Sequence, residues 1–243
     1  MAALIKLGVD YTCRTPVYVD LDKIGHTAII GATNSGKTTE TLYMLYQLLK
    51  LPCPVTLFIG DFKKSGDYKG ITNNFAEYME AVPLIDKFYK EFEETPEGST
   101  EIKILLIDEF ASLSIMLSQS DKKKADDIKN KIGTILMLGR SRHCFLWCVQ
   151  QRLSAQFFLS GTGALDNFSV AIGLADLSPD SRKSLFSGHH FQDENFEKNF
   201  HPTTGEGICL IDGQPLTAIR VPYIRDKERM KIVLRKLAAG RHN

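Results

Sequence analysis

Short apolar runs alternate along the chain with segments whose apolar residues recur every three or four positions. Thr27-Ala28-Ile29-Ile30 is a brief apolar run that ends at Gly31, the pattern of a buried strand. Leu42, Leu45, Tyr46 and Leu49 then share one face of a helix starting near Gly36. Val55 to Ile59 predicts a second strand. A helix opens near Pro83, a residue suited to a first turn, and aligns Ile85, Phe88 and Phe92. Thr95-Pro96-Glu97-Gly98-Ser99 predicts a loop. Ile104 to Ile107 is continuously apolar, as expected of a strand covered on both faces. Ile128, Ile132, Ile135 and Leu136 mark a further helix, and Phe145–Val149 and Phe168–Ile172 two further strands. Gly207–Ile211 and Leu216–Val221 flank Asp212-Gly213, a hairpin signal. Met230, Val233, Leu234 and Leu237 form the stripe of a last amphipathic helix. Alternating strand and helix implies an α/β fold: a mostly parallel sheet with helices on both faces, followed by a small C-terminal β-hairpin plus helix. With no internal repeat or linker in view, residues 1–243 are expected to form a single domain.

The first strand runs into Gly31-Ala32-Thr33-Asn34-Ser35-Gly36-Lys37-Thr38, which fits the phosphate-loop pattern G-x-x-x-x-G-K-[ST]. Its glycines let backbone amides curl round an anion, and the helix that follows points its positive end at it. Lys37 is expected at the β- and γ-phosphates of ATP, and the Thr38 hydroxyl on Mg2+; Thr39 extends the binding segment. The strand before and the helix after are the context the motif requires.

Asp108-Glu109 follows the apolar run 104–107. A carboxylate at a buried strand's tip projects into the crevice where nucleotides lie. Asp108 would hold Mg2+, and Glu109 would accept a proton from an attacking water. The plainer alternative is a helix cap after a strand. No Asn-Lys-x-Asp guanine-reading motif occurs; Asn130-Lys131-Ile132-Gly133 lacks the acid. Gln150-Gln151-Arg152 ends the strand 145–149, where a glutamine could orient water beside the γ-phosphate. Arg140 and Arg142 precede that strand. Either could act on its own subunit, reach a neighbour's ATP as a finger, or sit solvated at a helix end.

The ordered set of motifs resembles the motor domain of the FtsK/SpoIIIE family of DNA translocases, within the FtsK–HerA group. Thr15 through His26 resembles the family's lead-in to the phosphate loop. Asp61-Phe62-Lys63 looks like its Asp-Pro-Lys, with Phe62 for proline. Leu106 through Phe110 is similar to its second ATPase motif. Gly139 to Leu153 resembles its block before the fifth strand, keeping Gly139, Arg140, Gln151 and Arg152 in register, with Leu153 for proline. Asp180-Ser181-Arg182 with Leu185-Phe186, and Gly205-Glu206-Gly207 through Pro222, complete the series. The resemblance implies a RecA-like fold, a homo-oligomeric ring (a hexamer), and ATP-driven movement of double-stranded DNA without sequence specificity. By position it makes Gln151 the sensor, Arg140 the finger in trans, and Arg182 a further inter-subunit candidate. The chain is short for a chromosome-segregating translocase. The expected service is therefore DNA transfer for a plasmid, conjugative element or virus, with mobile-element DNA-processing proteins as partners. Viral genome packaging and a nucleotide-gated adaptor are the alternatives; Glu109 speaks against a small-molecule kinase.

Composition alters this picture little. Of 243 residues 43% are hydrophobic, enough for a substantial core, and 30 basic against 29 acidic residues leave a net charge of +1. Only a local patch can therefore meet DNA. Candidates are Lys122-Lys123-Lys124, read as a pore-facing loop or a solvated helix start, and a loop holding Lys63, Lys64 and Lys69. A third is the stretch from Ala218, whose eight basic and two acidic residues give +6; its helix either touches phosphates or only docks on the domain. No run of 18 apolar residues or leader-like N-terminus occurs, and five scattered cysteines suit reduced thiols, so a cytoplasmic location is expected. Cys144 and Cys148 are read as core residues, and His189, His190 and His201 as no metal site.

Overall fold

The computed structural model describes residues 2–158 and 163–240. Two strands open the chain, β1 (Leu4–Asp10) and β2 (Pro16–Asp20), followed by β3 (Thr27–Gly31) and helix α1 (Lys37–Leu48). Next come β4 (Val55–Asp61), β5 (Phe75–Glu77), α2 (Ala81–Glu94) and β6 (Ile102–Asp108). Helices α3 (Phe110–Ser120) and α4 (Lys122–Leu138) lead to β7 (Cys144–Gln150) and β8 (Val170–Leu174). Short helices α5 (Pro179–Phe186) and α6 (Glu194–Asn199) precede β9 (Glu206–Ile211), β10 (Thr217–Arg220) and α7 (Lys227–Ala239). No helix among the described residues is long and apolar enough to cross a membrane.

The strands form a ten-stranded sheet in the order β2-β1-β10-β9-β8-β3-β7-β6-β4-β5. From β8 to β5 every pairing is parallel, and from β8 to β2 every pairing is antiparallel. The central strands are the continuously apolar ones. Every residue of β3, β7 and β8 is buried, as parallel strands covered on both faces require. Alternation along each strand then sorts side chains into two cores. Ile29, Leu106, Phe145 and Trp147 pack on the side of α1 and α7. Ile30, Leu105, Ile107, Leu146 and Cys148 pack on the side of α2, α3 and α4. In α2 the buried Ile85, Phe88 and Phe92 stand on one face; each such side chain contributes about 1.5–3 kcal/mol through burial. Cys144 and Cys148 both belong to the second core, with no third metal-ligating group grouped with them among the described residues.

Two features differ from the sequence reading. The C-terminal hairpin is no appendage. β9 pairs with β8 over Val170↔Ile211 to Leu174↔Gly207 and so continues the main sheet. Beyond it, β1 joins β10 and β2 closes the edge, from a segment in which no strand is expected. Of the two readings of lysines 122–124 the structure has the helix start: they open α4, whose N-cap Asp121 accepts from the Lys124 amide. Lys124 and Lys131 both pair with Asp86 and Asp127 across α2 and α4. The last helix docks through Leu234 and Ala238 onto the α1 core, and Arg241, part of its counted charge, lies outside the described residues.

Glu40 is an outlier in this core. It lies fully buried in the first turn of α1, and neither carboxylate oxygen has a hydrogen-bond partner. Burial raises its carboxyl well above the usual range. A folded-state value above the unfolded one means stability declines as pH rises from the ordinary carboxylate range towards the folded value. Glu40→Gln removes that decline. Thermal melts of both proteins from pH 5 to pH 8 should show the variant's advantage growing with pH; a constant difference would contradict a protonated, buried Glu40.

Candidate functional site

Strand register builds the site. In the parallel sheet Ile30 stands beside Gln150, Val149 beside Asp108, and Asp108 beside Asp61. The C-terminal tips of β3, β7, β6 and β4 therefore lie in one row at one end of the sheet.

Gly31 to Thr38 curls over this row. Gly31 has φ +154°, and a Cβ there would meet Leu174 O at 2.5 Å and Ser35 Oγ at 2.6 Å. Gly36 has φ +109° and precedes the first turn of α1. Both positions demand glycine, one through close approach and both through a backbone that side chains disfavour. Ser35 is buried and its hydroxyl has no partner, an unsatisfied donor inside the loop. Lys37 Nζ donates to the carbonyls of Gly31 at 2.7 Å and Ala32 at 2.8 Å, so its ammonium is folded back over the loop. Burial, with the Lys63 ammonium close by, holds Lys37 below the usual lysine range, while Glu109 and Asp108 oppose the shift.

The loop borders a cleft of about 600 Å3, lined by Lys37, Thr38 and Thr39 together with Glu206, Arg220 and Tyr223. The segment before β9 clamps the loop from that side. Gly205 N donates to Ser35 O at 2.9 Å and Thr204 Oγ1 to Asn34 O at 3.2 Å. The glycine pair of Gly205 and Gly207 was legible in the sequence, but its contact with residues 34–36 was not.

Asp108 is 8% exposed. Burial raises its carboxyl to about 7; Lys63 and Lys37 oppose the rise, and Asp61 and Glu109 add to it. Asp61, fully buried, holds the Ser65 hydroxyl and the Gly66 amide with one oxygen and leaves the other without a partner. Thr38 Oγ1 lies 3.5 Å from Asp67 Oδ2. The donor set facing the loop is thus all oxygen: the Thr38 hydroxyl and a desolvated Asp108 carboxyl that a cation would return to its charged form. That chemistry fits a hard divalent ion such as Mg2+.

Glu109 follows Asp108 with φ +66°, a left-handed turn uncommon for a residue with a side chain. The turn sends its carboxylate towards β7 and the loop. Oε1 accepts from the Gln151 backbone N–H at 3.1 Å and from Lys63 Nζ at 2.6 Å. Gln151 Nε2 in turn reaches Thr33 Oγ1 at 3.4 Å. A single chain of contacts so links the acid, the β7 tip and the phosphate loop. The adjacent Gln150 plays a different part: its Oε1 accepts the Ala111 amide at the start of α3.

The arginines divide. Arg140 is exposed and precedes β7, at the opposite end of the sheet from the loop, and its charge bears on Asp212 in the β9–β10 turn. Six strand rises separate the two ends, about 20 Å. Arg140 therefore cannot serve the loop of its own chain, which removes the own-subunit option. Arg142 caps α2, donating to Phe92, Glu93 and Thr95 carbonyls. Arg152 pairs with Asp180 at 3.0 Å, and Arg182 pairs with Glu197.

Comparison with known proteins agrees with this architecture. The FtsK/SpoIIIE family matches residues 1–97. No curated protein matches the sequence. Among solved structures, the pCW3 conjugation coupling protein TcpA with ATPgS is similar at TM-score 0.75 and 20% identity, over 98% of this chain and 71% of that one. The cytoplasmic domain of the type VII secretion ATPase EccC of Thermomonospora curvata gives TM-score 0.70 and 19% identity over 97% of this chain. This chain spans 31% of that EccC chain. The genome packaging NTPase B204 of Sulfolobus turreted icosahedral virus 2 gives TM-score 0.54 and 13% identity, over 84% of this chain and all of its own. At these identities the likeness is one of fold. The model of the FtsK/SpoIIIE family thus matches residues 1–97, and the chain as a whole shares its fold with the P-loop ATPase domains of TcpA and EccC.

Proposed function

We propose that the chain is an ATP-hydrolysing motor that assembles into a ring, a hexamer, and moves double-stranded DNA in the transfer of a plasmid, conjugative element or virus. The observation that carries this reading is the linkage of Glu109 through Gln151 to Thr33: a strand-tip acid and a polar sensor joined to a glycine-rich anion loop.

The residues would act as follows. The amides of residues 31–38 and the end of α1 bind the triphosphate. Lys37 Nζ exchanges its carbonyl acceptors on Gly31 and Ala32 for phosphate oxygens, a loss of two hydrogen bonds offset by charge-assisted ones. Thr38 and Asp108 would hold Mg2+, which supplies charge neutralisation on the phosphates. Glu109 accepts the proton of the attacking water, and Gln151 orients that water. Arg140, which lies at the far end of the sheet from its own loop, would reach a neighbour's site in a ring and stabilise charge on the transferring phosphoryl group. Duplex DNA is met through backbone phosphates, consistent with a net charge near zero and local lysine patches.

A packaging ATPase is the same engine in another service. The overlay of the whole B204 chain on 84% of this one supports keeping that second reading. A nucleotide-gated adaptor differs in kind: its turnover would be slow and unaffected by DNA, and it would not displace a triplex-forming strand.

Lys37→Ala should abolish nucleotide binding. Glu109→Gln should keep binding and cut turnover roughly a hundredfold or more, the scale of a lost general base. Parental turnover in Glu109→Gln, followed by phosphate release, would refute the base assignment. Mixing Arg140→Ala with Glu109→Gln subunits should restore part of the activity of a mixed ring. No recovery at any ratio would contradict an arginine acting across subunits.

A further inference from the structure

A threonine hydroxyl has one proton and two lone pairs. To offer a lone pair to a divalent cation, Thr38 must send its proton to an acceptor. That acceptor is Asp67, whose Oδ2 takes the hydroxyl at 3.5 Å. The distance is the outer limit of a hydrogen bond, so the contact aligns donor and acceptor more than it binds them. Asp67 is not one of the strand-tip acids. It stands 29 residues beyond Thr38, in the loop between β4 and β5.

The carboxylate is held in place from several directions. At the base of the loop the buried Asp61 accepts the Ser65 hydroxyl at 2.9 Å and the Gly66 amide at 3.0 Å. The Ser65 oxygen in turn accepts the Asp67 backbone N–H at 3.2 Å. Tyr68, the next residue, is fully buried in the core that also holds Leu42 and Leu45 of α1. From α7, Lys231 Nζ lies 3.6 Å from Asp67 Oδ1, and Arg235 donates to the Lys69 carbonyl at 2.7 Å. The Lys231 side chain is 9% exposed, whereas that of its second acid, Glu228, is 77% exposed. The two oxygens of Asp67 thus divide: Oδ1 faces the lysine and Oδ2 faces Thr38. That division fixes the orientation of the carboxylate, which is what an acid standing behind a metal ligand requires.

We propose that Asp67 is a positioning residue for Mg2+: it accepts the hydrogen bond of the Thr38 hydroxyl and so leaves that oxygen's lone pairs to the ion. The proposal rests on the reading of Thr38 as a Mg2+ ligand and names the group that prepares it. A hydroxyl that donates to a carboxylate carries more negative charge on its oxygen and is the better ligand for a hard cation. Asp67 touches neither nucleotide nor ion in this scheme and acts only through Thr38. Because Lys231 holds the same carboxylate, the last helix is part of the support of the metal site and does more than cover the α1 core.

The test is a Mg2+ titration of a fluorescent ATP analogue bound to the parental chain, Asp67→Asn, Thr38→Val and the double variant, with binding in EDTA measured alongside. Asp67→Asn should need about tenfold more Mg2+ for half-saturation, the scale of losing an acid behind a metal ligand, with affinity in EDTA unchanged. Thr38→Val should raise the requirement at least as much. Adding Asp67→Asn to Thr38→Val should change nothing further, because the acid acts through the hydroxyl. An unshifted Mg2+ requirement in Asp67→Asn beside a shifted one in Thr38→Val overturns the role of Asp67 and leaves Thr38 as the ligand. A further loss in the double variant also overturns it, making Asp67 a separate charge that attracts the ion. An equal loss of affinity in EDTA and in Mg2+ would make Asp67 a support of the loop alone. A parental Mg2+ requirement in Thr38→Val sinks the ligand reading beneath the proposal, and the proposal with it. Asn matches Asp in shape; should the loop still fail to fold, Asp67→Ser, equally neutral, takes its place in the same cycle with the same expectations.

Discussion

The parallel register of four central strands is the constraint on which the rest depends. It brings the C-terminal tips of β3, β7, β6 and β4 to one end of the sheet, so that residues from four separate stretches of sequence meet there. A slip of one residue in β6 against β4 would turn Asp108 towards a core face and bring Ile107 to the row, exchanging the two cores as well. The continuous apolar runs of these strands fix that register through burial on both sides. The same burial makes the strand tips costly places for charge, which is why the Asp108 carboxyl is raised to about 7 and Asp61 needs two donors to hold one of its oxygens.

Polarity of the sheet separates functions by distance. The loop end holds the two adjacent acids, Gln151 and two lysines. The other end holds Arg140 and the turn with Asp212. A chain built this way has its anion cradle and its exposed arginine on surfaces that cannot meet within one molecule. Only repetition of the chain in an assembly would join them, the sense in which a ring follows from the proposed mechanism.

Much of this was legible in the sequence. Strands 3, 4, 6, 7 and 8 announce themselves as apolar runs, and the helices α1, α2, α4 and α7 as stripes at helical spacing. The outer strands β1, β2 and β5 did not. In Leu4–Asp10 buried Ile5 and Leu7 alternate with Leu4 and Lys6, but the run is short and Gly8 interrupts it. Helix α3 was hidden by its serines and by starting directly after a strand tip. Within the site, the phosphate loop is a contiguous motif and could be read at once. The left-handed Glu109 and its partner Lys63 could not be, because the pair depends on a backbone angle and on a contact between residues just after β6 and β4, far apart in sequence. Gln150 and Gln151 look alike as letters; only strand alternation sends one to cap α3 and the other to Thr33.

A crystal structure with Mg2+ and a non-hydrolysable ATP analogue tests the central claim most directly. The account predicts the triphosphate in the loop 31–38 with Lys37 released from its carbonyls, and the Thr38 hydroxyl and Asp108 on the metal's side of the phosphates. Phosphates bound elsewhere, or Lys37 still folded onto Gly31 and Ala32 with the analogue in place, would contradict it.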